Sequence, residues 1–277
     1  MSFISTKEQA FFGQLTYLHG MIFADPDNRT EHLSDELHKL AAAVELYALS
    51  FDIFDDLEDQ DNLSEPWMQI PMGEALNLAT MMYSISLQMI AEMDRSGELT
   101  RMVNDYSIRA MEGQHEDLTG SAVTEEACLE MMKRKSGSML AMSSMLGTVH
   151  SYGSKVPEVH EYTLQIGIAA QTENDFRDLF QLHKSDLTTK KNTLALLYLK
   201  REFNEASQEI LQFIDKGIPF EEQYSDMKMY KDILFKSGVI HYLNVIKQIA
   251  IQKAITTMNR LPLSADRIEI IKSHLIK

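Results

Sequence analysis

The sequence predicts an all-α protein. Glycine and proline are sparse, at 12 and 6 in 277 residues. Alternating strand patterns are scarce, and apolar residues recur at helical spacing. Leu78, Met81, Met82, Ile85 and Met89 fall on one helical stripe, as do Val239, Leu243, Ile246 and Ala250.

The elements follow from their punctuation. Helices are expected over 5–22, 31–60, 71–94, 98–118, 124–150, 157–183, 192–214, 221–255 and 264–276. Thr124 before two glutamates, Pro157 in a first turn and Ser264 before Ala265 read as helix starts. Breaks are expected at 24–28, Ser64-Glu65-Pro66, Ser96-Gly97, Thr119-Gly120-Ser121, Gly153-Ser154, Gly217-Ile218-Pro219 and Leu261-Pro262. No Pro/Gly/Ser-rich linker divides the helices, so 1–277 reads as one domain. The 18 methionines suit an ordinary core, or an adaptable wall around an apolar substrate.

Charge narrows the partners. A net charge of −15 argues against nucleic acid or an anionic membrane, both of which attract positive surfaces. The single cysteine, Cys128, allows no disulfide within the chain and suits a reducing compartment. No apolar signal core or membrane span is evident, and a cytoplasmic protein is the expectation.

Two oxygen-rich clusters carry the chemistry. In the first, Asp55, Asp56 and Asp59 sit at i, i+1 and i+4. That spacing puts Asp55 and Asp59 on one helical face, one turn apart. Like charges so placed destabilise a helix unless something neutralises them. A charge run by itself is usually a solvated face. Here Asn174, Asp175 and Asp178 repeat the spacing on a second helix. Two such faces across a bundle would hold Mg²⁺, which prefers oxygen ligands and completes its shell with phosphate oxygens. The expectation is a metal-bridged diphosphate site. Lys135, Lys190 and Lys191 are candidate cations beside it.

These motifs resemble the DDxxD and NDxxD signatures of the trans-isoprenyl diphosphate synthases. Gly113-Gln114 with Asp117-Leu118 resembles that family's GQxxDL segment. Lys135-Ser136-Gly137, the run Gly167 to Gln171, and Asp186, Lys190 and Thr193 resemble further landmarks. The resemblance covers about residues 31 to 260 and implies a helical barrel around a central substrate cavity. It implies Mg²⁺ held by Asp55, Asp56, Asp59, Asn174, Asp175 and Asp178. Diphosphate would be bound by Lys135, Gln171 and Lys190, with Phe51 as floor for the prenyl chain. It also implies a homodimer.

Departures from the elongating members are informative. Their N-terminal Gly-Lys-Arg segment and the paired arginines after the first motif grip isopentenyl diphosphate. Here only Lys7, Arg29 and Lys39 precede the motif, and Gln60-Asp61-Asn62-Leu63-Ser64 follows it. A second diphosphate should bind poorly without those cations. Residues 55–62 with Trp67-Met68, 113–117 and 192–211 resemble a branch that modifies a tryptophan of a peptide pheromone precursor in quorum sensing. The expected reaction is transfer of a geranyl or farnesyl group from an allylic diphosphate to that tryptophan. The alternative is a short-chain prenyl diphosphate synthase. A ferritin-like di-iron bundle needs two Glu-x-x-His pairs, and only Glu112 and His115 provide one. Trp67 and Cys128 read as structural residues.

Overall fold

A computed structural model of the chain describes residues 10–180, 191–216 and 220–276. Every regular element among the described residues is helical. The helices are α1 (Phe11–Phe23), α2 (Glu31–Asp59), α3 (Met72–Met93), α4 (Glu98–Thr119), α5 (Glu125–Met132), α6 (Ser138–Tyr152) and α7 (Pro157–Asp178). After them come α8 (Leu194–Leu199), α9 (Glu205–Lys216), α10 (Phe220–Gln223), α11 (Met227–Ser237), α12 (Val239–Met258) and α13 (Ala265–Leu275). Short 3₁₀ turns occupy Pro26–Asn28 and Pro66–Gln69.

Helix starts follow their capping residues. Thr30 Oγ1 accepts the Leu33 amide at 3.2 Å, and Thr124 Oγ1 that of Ala127 at 3.1 Å. Each cap satisfies one of the orphan donors of a first turn. Three expected helices are broken. The one over 124–150 contains a π turn at Lys133–Gly137. The one over 192–214 is interrupted before Asn204, whose Oδ1 accepts the Ser207 amide at 2.9 Å. The one over 221–255 breaks before Met227, capped by Asp226, and again at Gly238, where φ is 85°.

Helix α1 packs on α2 and α6, α3 on α2, and α7 on α6 and α12. The larger core joins Leu15, Leu40, Val44, Tyr47, Val103, Leu146 and Tyr162. A second gathers Cys128, Met132, Ile168, Leu194 and Tyr230 around α5, α7, α8, α9, α11 and α12. A third packs Trp67 against Leu49, Ile53, Ala75 and Ala79. The expected α3 stripe is only partly buried: Leu78, Met82 and Met89 are half-covered, and Met82 and Met89 pack against the cores. Ala75, Ala79, Ser86 and Ile90 are the buried positions, while Met81 and Ile85 are about half exposed. No helix among the described residues is long and apolar enough to cross a membrane.

Candidate active site

The site forms where three helices end. Asp59 is the last residue of α2, Asp178 the last of α7, and Asp117 lies in the last turn of α4. The carbonyl ends of helices carry partial negative charge, so carboxylates placed there create a strong demand for cations.

Lys135 answers it. Its Nζ lies 2.8 Å from Asp117 Oδ2, 3.2 Å from Asp55 Oδ1 and 3.9 Å from Asp59 Oδ2. Burial pulls this ammonium down, but Asp55, Asp117 and Asp59 outweigh it and hold its pKa above the ordinary lysine value. Lys135 reaches this position because the π turn offsets the helix there, a distortion frequent at functional sites. Gly113 of α4 lets the turn approach. A Cβ there would stand 2.3 Å from the Lys135 backbone nitrogen. Gly167 does the same on the other side, where a Cβ would lie 2.3 Å from Gly137 Cα. Gly113 and Gly167, each the first residue of a landmark segment, are thus close backbone crossings.

Lys191 is the second cation. Its Nζ lies 2.8 Å from Asp59 Oδ1 and 3.7 Å from Asp117 Oδ2. Lys190, expected to bind diphosphate, lies outside the described residues. Sequence reasoning named Lys191 as a candidate cation but gave the diphosphate to Lys190, and it read Asp117 only as part of a landmark.

The six motif residues divide into two kinds. Asp55 is half-buried. Burial raises its carboxyl, Lys135 opposes, and Asp59 adds to the rise. Burial likewise raises Asp178, with Asp61 pushing the same way and Lys191 and Lys135 opposing. The first and second motifs therefore share one electrostatic field, although they come from different helices. Asp56 points elsewhere. It is 5 % exposed; its Oδ1 accepts Asn62 Nδ2 and its Oδ2 accepts Trp67 Nε1, both at 2.7 Å. Burial raises its carboxyl, those two bonds oppose, and neighbouring Asp61 reinforces the rise. Both of its oxygens are thus engaged within the fold, a setting unlike that of Asp55 and Asp59. Asp175 is buried and Asn174 exposed. Gln171 accepts Ser136 Oγ at 2.7 Å and donates to Asp175 Oδ1 at 3.4 Å, which links the π turn to the second motif.

Phe51 lies one turn before Asp55 and stacks on Tyr47 with centroids 4.7 Å apart. Tyr83 of α3 closes against both rings. An aromatic layer therefore lies below the carboxylates on α2. Trp67 is 4 % exposed and its N–H is engaged, in keeping with a structural residue.

Among the described residues, no three acidic, histidine or cysteine side chains stand close enough together to share one metal ion. The two lysines lie between the carboxylates instead. The donor set nevertheless fits a hard divalent cation. It is all oxygen, burial raises the Asp55 and Asp178 carboxyls, and Asp61 Oδ1 is buried without a hydrogen-bond partner.

The sequence profile of the polyprenyl synthetase family matches residues 13–233. The chain belongs to that family. A tryptophan prenyltransferase ComQ from Bacillus spizizenii is 38 % identical over 261 residues, covering 94 % of this chain and 91 % of that one. Among solved structures, a geranylgeranyl pyrophosphate synthase superposes with a TM-score of 0.83 at 16 % identity, covering 98 % of this chain and 86 % of that one. A polyprenyl synthase from Caulobacter crescentus CB15, complexed with calcium and isoprenyl diphosphate, gives 0.78 at 19 % identity, covering 99 % and 85 %. Those two likenesses establish the fold. As a member of the family the chain is an isoprenyl transferase.

Proposed function

We propose that the chain transfers a geranyl or farnesyl group from an allylic diphosphate to a tryptophan of a ComX-like peptide pheromone precursor. The observation that carries this reading is the segment after the first motif. Residues 60–69 hold no lysine or arginine. The segment folds back on α2 through the bonds from Asn62 and Trp67 to Asp56. Lys135 and Lys191 can cradle one diphosphate, and nothing in that segment offers a second such cradle. An uncharged indole suits the acceptor position better.

Asp55, Asp59, Asn174, Asp175 and Asp178 would hold Mg²⁺. When bound, that metal neutralises charge on the departing diphosphate. Lys135 and Lys191 hold the same oxygens by charge-assisted hydrogen bonds. Gln171, fixed by Ser136, orients them. The allylic C–O bond breaks with its electron pair on the diphosphate oxygen. Indole C3 then bonds the allylic carbon, and the indole takes up the positive charge. A backbone nitrogen of the peptide bonds C2 and loses its proton. The prenyl tail runs down to Phe51, away from water that would hydrolyse the cation.

The uncovered faces of α3 and α4 support a homodimer. Met72, Leu76, Met81 and Ile85, with Ile108 and Met111, are 43–56 % exposed, an apolar face suited to a second copy.

The test is incubation with Mg²⁺, geranyl or farnesyl diphosphate, and a tryptophan-containing peptide, read by mass spectrometry. A prenyl mass gain on the peptide, lost in Asp55→Ala, is expected. A longer prenyl diphosphate with isopentenyl diphosphate in place of the peptide, and an unmodified peptide, would overturn the reading.

A further inference from the structure

Asp117 belongs to neither aspartate motif, yet it touches both cations of the site. Its Oδ2 accepts Lys135 Nζ at 2.8 Å and lies 3.7 Å from Lys191 Nζ. Asp59 closes the ring from the other side, with Oδ1 2.8 Å from Lys191 and Oδ2 3.9 Å from Lys135. Two ammonium groups and two carboxylates thus alternate around one small perimeter.

The same stretch of α4 sets where both lysines enter. Gly113, one turn before Asp117, admits the π turn that carries Lys135. Gly120, three residues after Asp117, ends α4 in a left-handed conformation, and its carbonyl accepts Asn192 Nδ2 at 2.7 Å. That bond fixes the chain next to Lys191.

We propose that Asp117 is a positioning residue, which holds Lys135 and Lys191 side by side as a paired grip for one diphosphate and stays as their shared partner when a metal takes Asp55 and Asp59. The proposal rests on the diphosphate-binding reading above. A divalent cation arriving at Asp55 and Asp59 competes with the lysines for those oxygens. Asp117 is a carboxylate outside both motifs that the two ammonium groups share. Without its charge, their mutual repulsion drives them apart, or they stay on Asp55 and Asp59 and oppose metal entry.

The experiment is titration calorimetry on the full chain with inorganic pyrophosphate at saturating Mg²⁺, and separately with Mg²⁺ alone. Asp117→Asn preserves shape and removes charge. It is expected to bind pyrophosphate about tenfold more weakly and to need more Mg²⁺ for half-saturation, with a thermal midpoint near that of the wild type. Asp117→Glu restores the charge and is expected within about threefold of wild type. In a Lys191→Met background the Asn substitution should cost no more than about twofold further, because the two residues act as a unit.

Wild-type affinity in Asp117→Asn, or losses in the two single variants that multiply in the double, would overturn the proposal. Should Asp117→Asn fail to fold, Lys191→Met carries the test, and undiminished pyrophosphate affinity there would overturn it. A wild-type chain that binds no pyrophosphate with Mg²⁺ would overturn the diphosphate reading itself, whatever the ratio between variants.

Discussion

The indole N–H of Trp67 donates to Asp56 Oδ2 at 2.7 Å, tying a 3₁₀ turn to the end of α2. The chain's one tryptophan thereby fixes the middle carboxylate of the first motif. Its rotation inward leaves Asp55 and Asp59 on the side facing Lys135. Trp67→Phe keeps most of the packing with Leu49 and Ile53 but leaves a buried acceptor unpaired. A loss of about 1–3 kcal/mol is expected, read from urea midpoints by circular dichroism. Prenyl transfer should fall with it, since the motif loses its brace.

Gly113→Ala tests the approach of α4 to the π turn. The added methyl would meet backbone atoms of residues 134 and 135, which cannot swing aside as a flexible side chain would. Either the turn moves or α4 does, at a cost of about 1–3 kcal/mol. Lys135 travels with the turn. Prenyl transfer should therefore drop by more than the stability change explains, as steady-state rates measured well below the midpoint temperature would show.

Phe51→Ala should lengthen the prenyl group that is accepted. Removing the ring exposes the face of Tyr47 against which it stacks. Tyr47 is fully buried and its hydroxyl is bonded to Ser107, so it stays in place. The gain is then limited to the depth of one ring. Comparing kcat/KM for geranyl, farnesyl and geranylgeranyl diphosphates would reveal a shift of preference toward the longer donors. An unchanged order would remove Phe51 from the floor.

Acid should destabilise the fold through His19. Burial lowers its imidazole from the ordinary 6.5 to about 4; the bond to the Leu15 carbonyl opposes and His274 reinforces. Its Nδ1 lies 2.7 Å from the Leu15 carbonyl oxygen, and Nε2 faces the Tyr162 hydroxyl. Between those two pH values the unfolded chain takes up a proton that the folded chain refuses. Stability contributed by this group is therefore complete above pH 6.5 and drains away as pH falls toward 4, by up to about 3 kcal/mol. The drop in urea midpoint between pH 7 and pH 5 should be smaller in His19→Gln than in the wild type.

The sequence made much of this legible. Helices α2 and α4 lie within a residue of expectation because Thr30 and Gly120 mark their ends. The breaks at Asn204 and Gly238 had local signals, a capping side chain and a glycine, that a continuous apolar pattern overrode. The π turn has a glycine of its own, Gly137, but its close crossing with Gly113 comes from another helix and leaves no trace in the local spacing. The two aspartate motifs declared themselves by spacing. The inward turn of Asp56 did not, because it is set by Asn62 and Trp67 across a loop whose backbone is left-handed at Gln60 and Asn62. The stripe at Leu78 to Met89 announced a helix correctly but not which neighbours would cover it.

The π turn has one more consequence. Helices α5 and α6 form a nearly continuous rod from Glu125 to Tyr152, and each residue of a regular α-helix advances it by about 100°. The widened turn absorbs one extra residue without turning the helix that follows it. Deleting a single residue within 133–137 would restore an ordinary rod and leave both halves facing as before. Cys128 and Met132 would keep their core, and Met142 and Leu146 theirs. What such a deletion would cost is the offset that brings Lys135 to Asp117, so the segment's length matters to the site and not to the packing on either side.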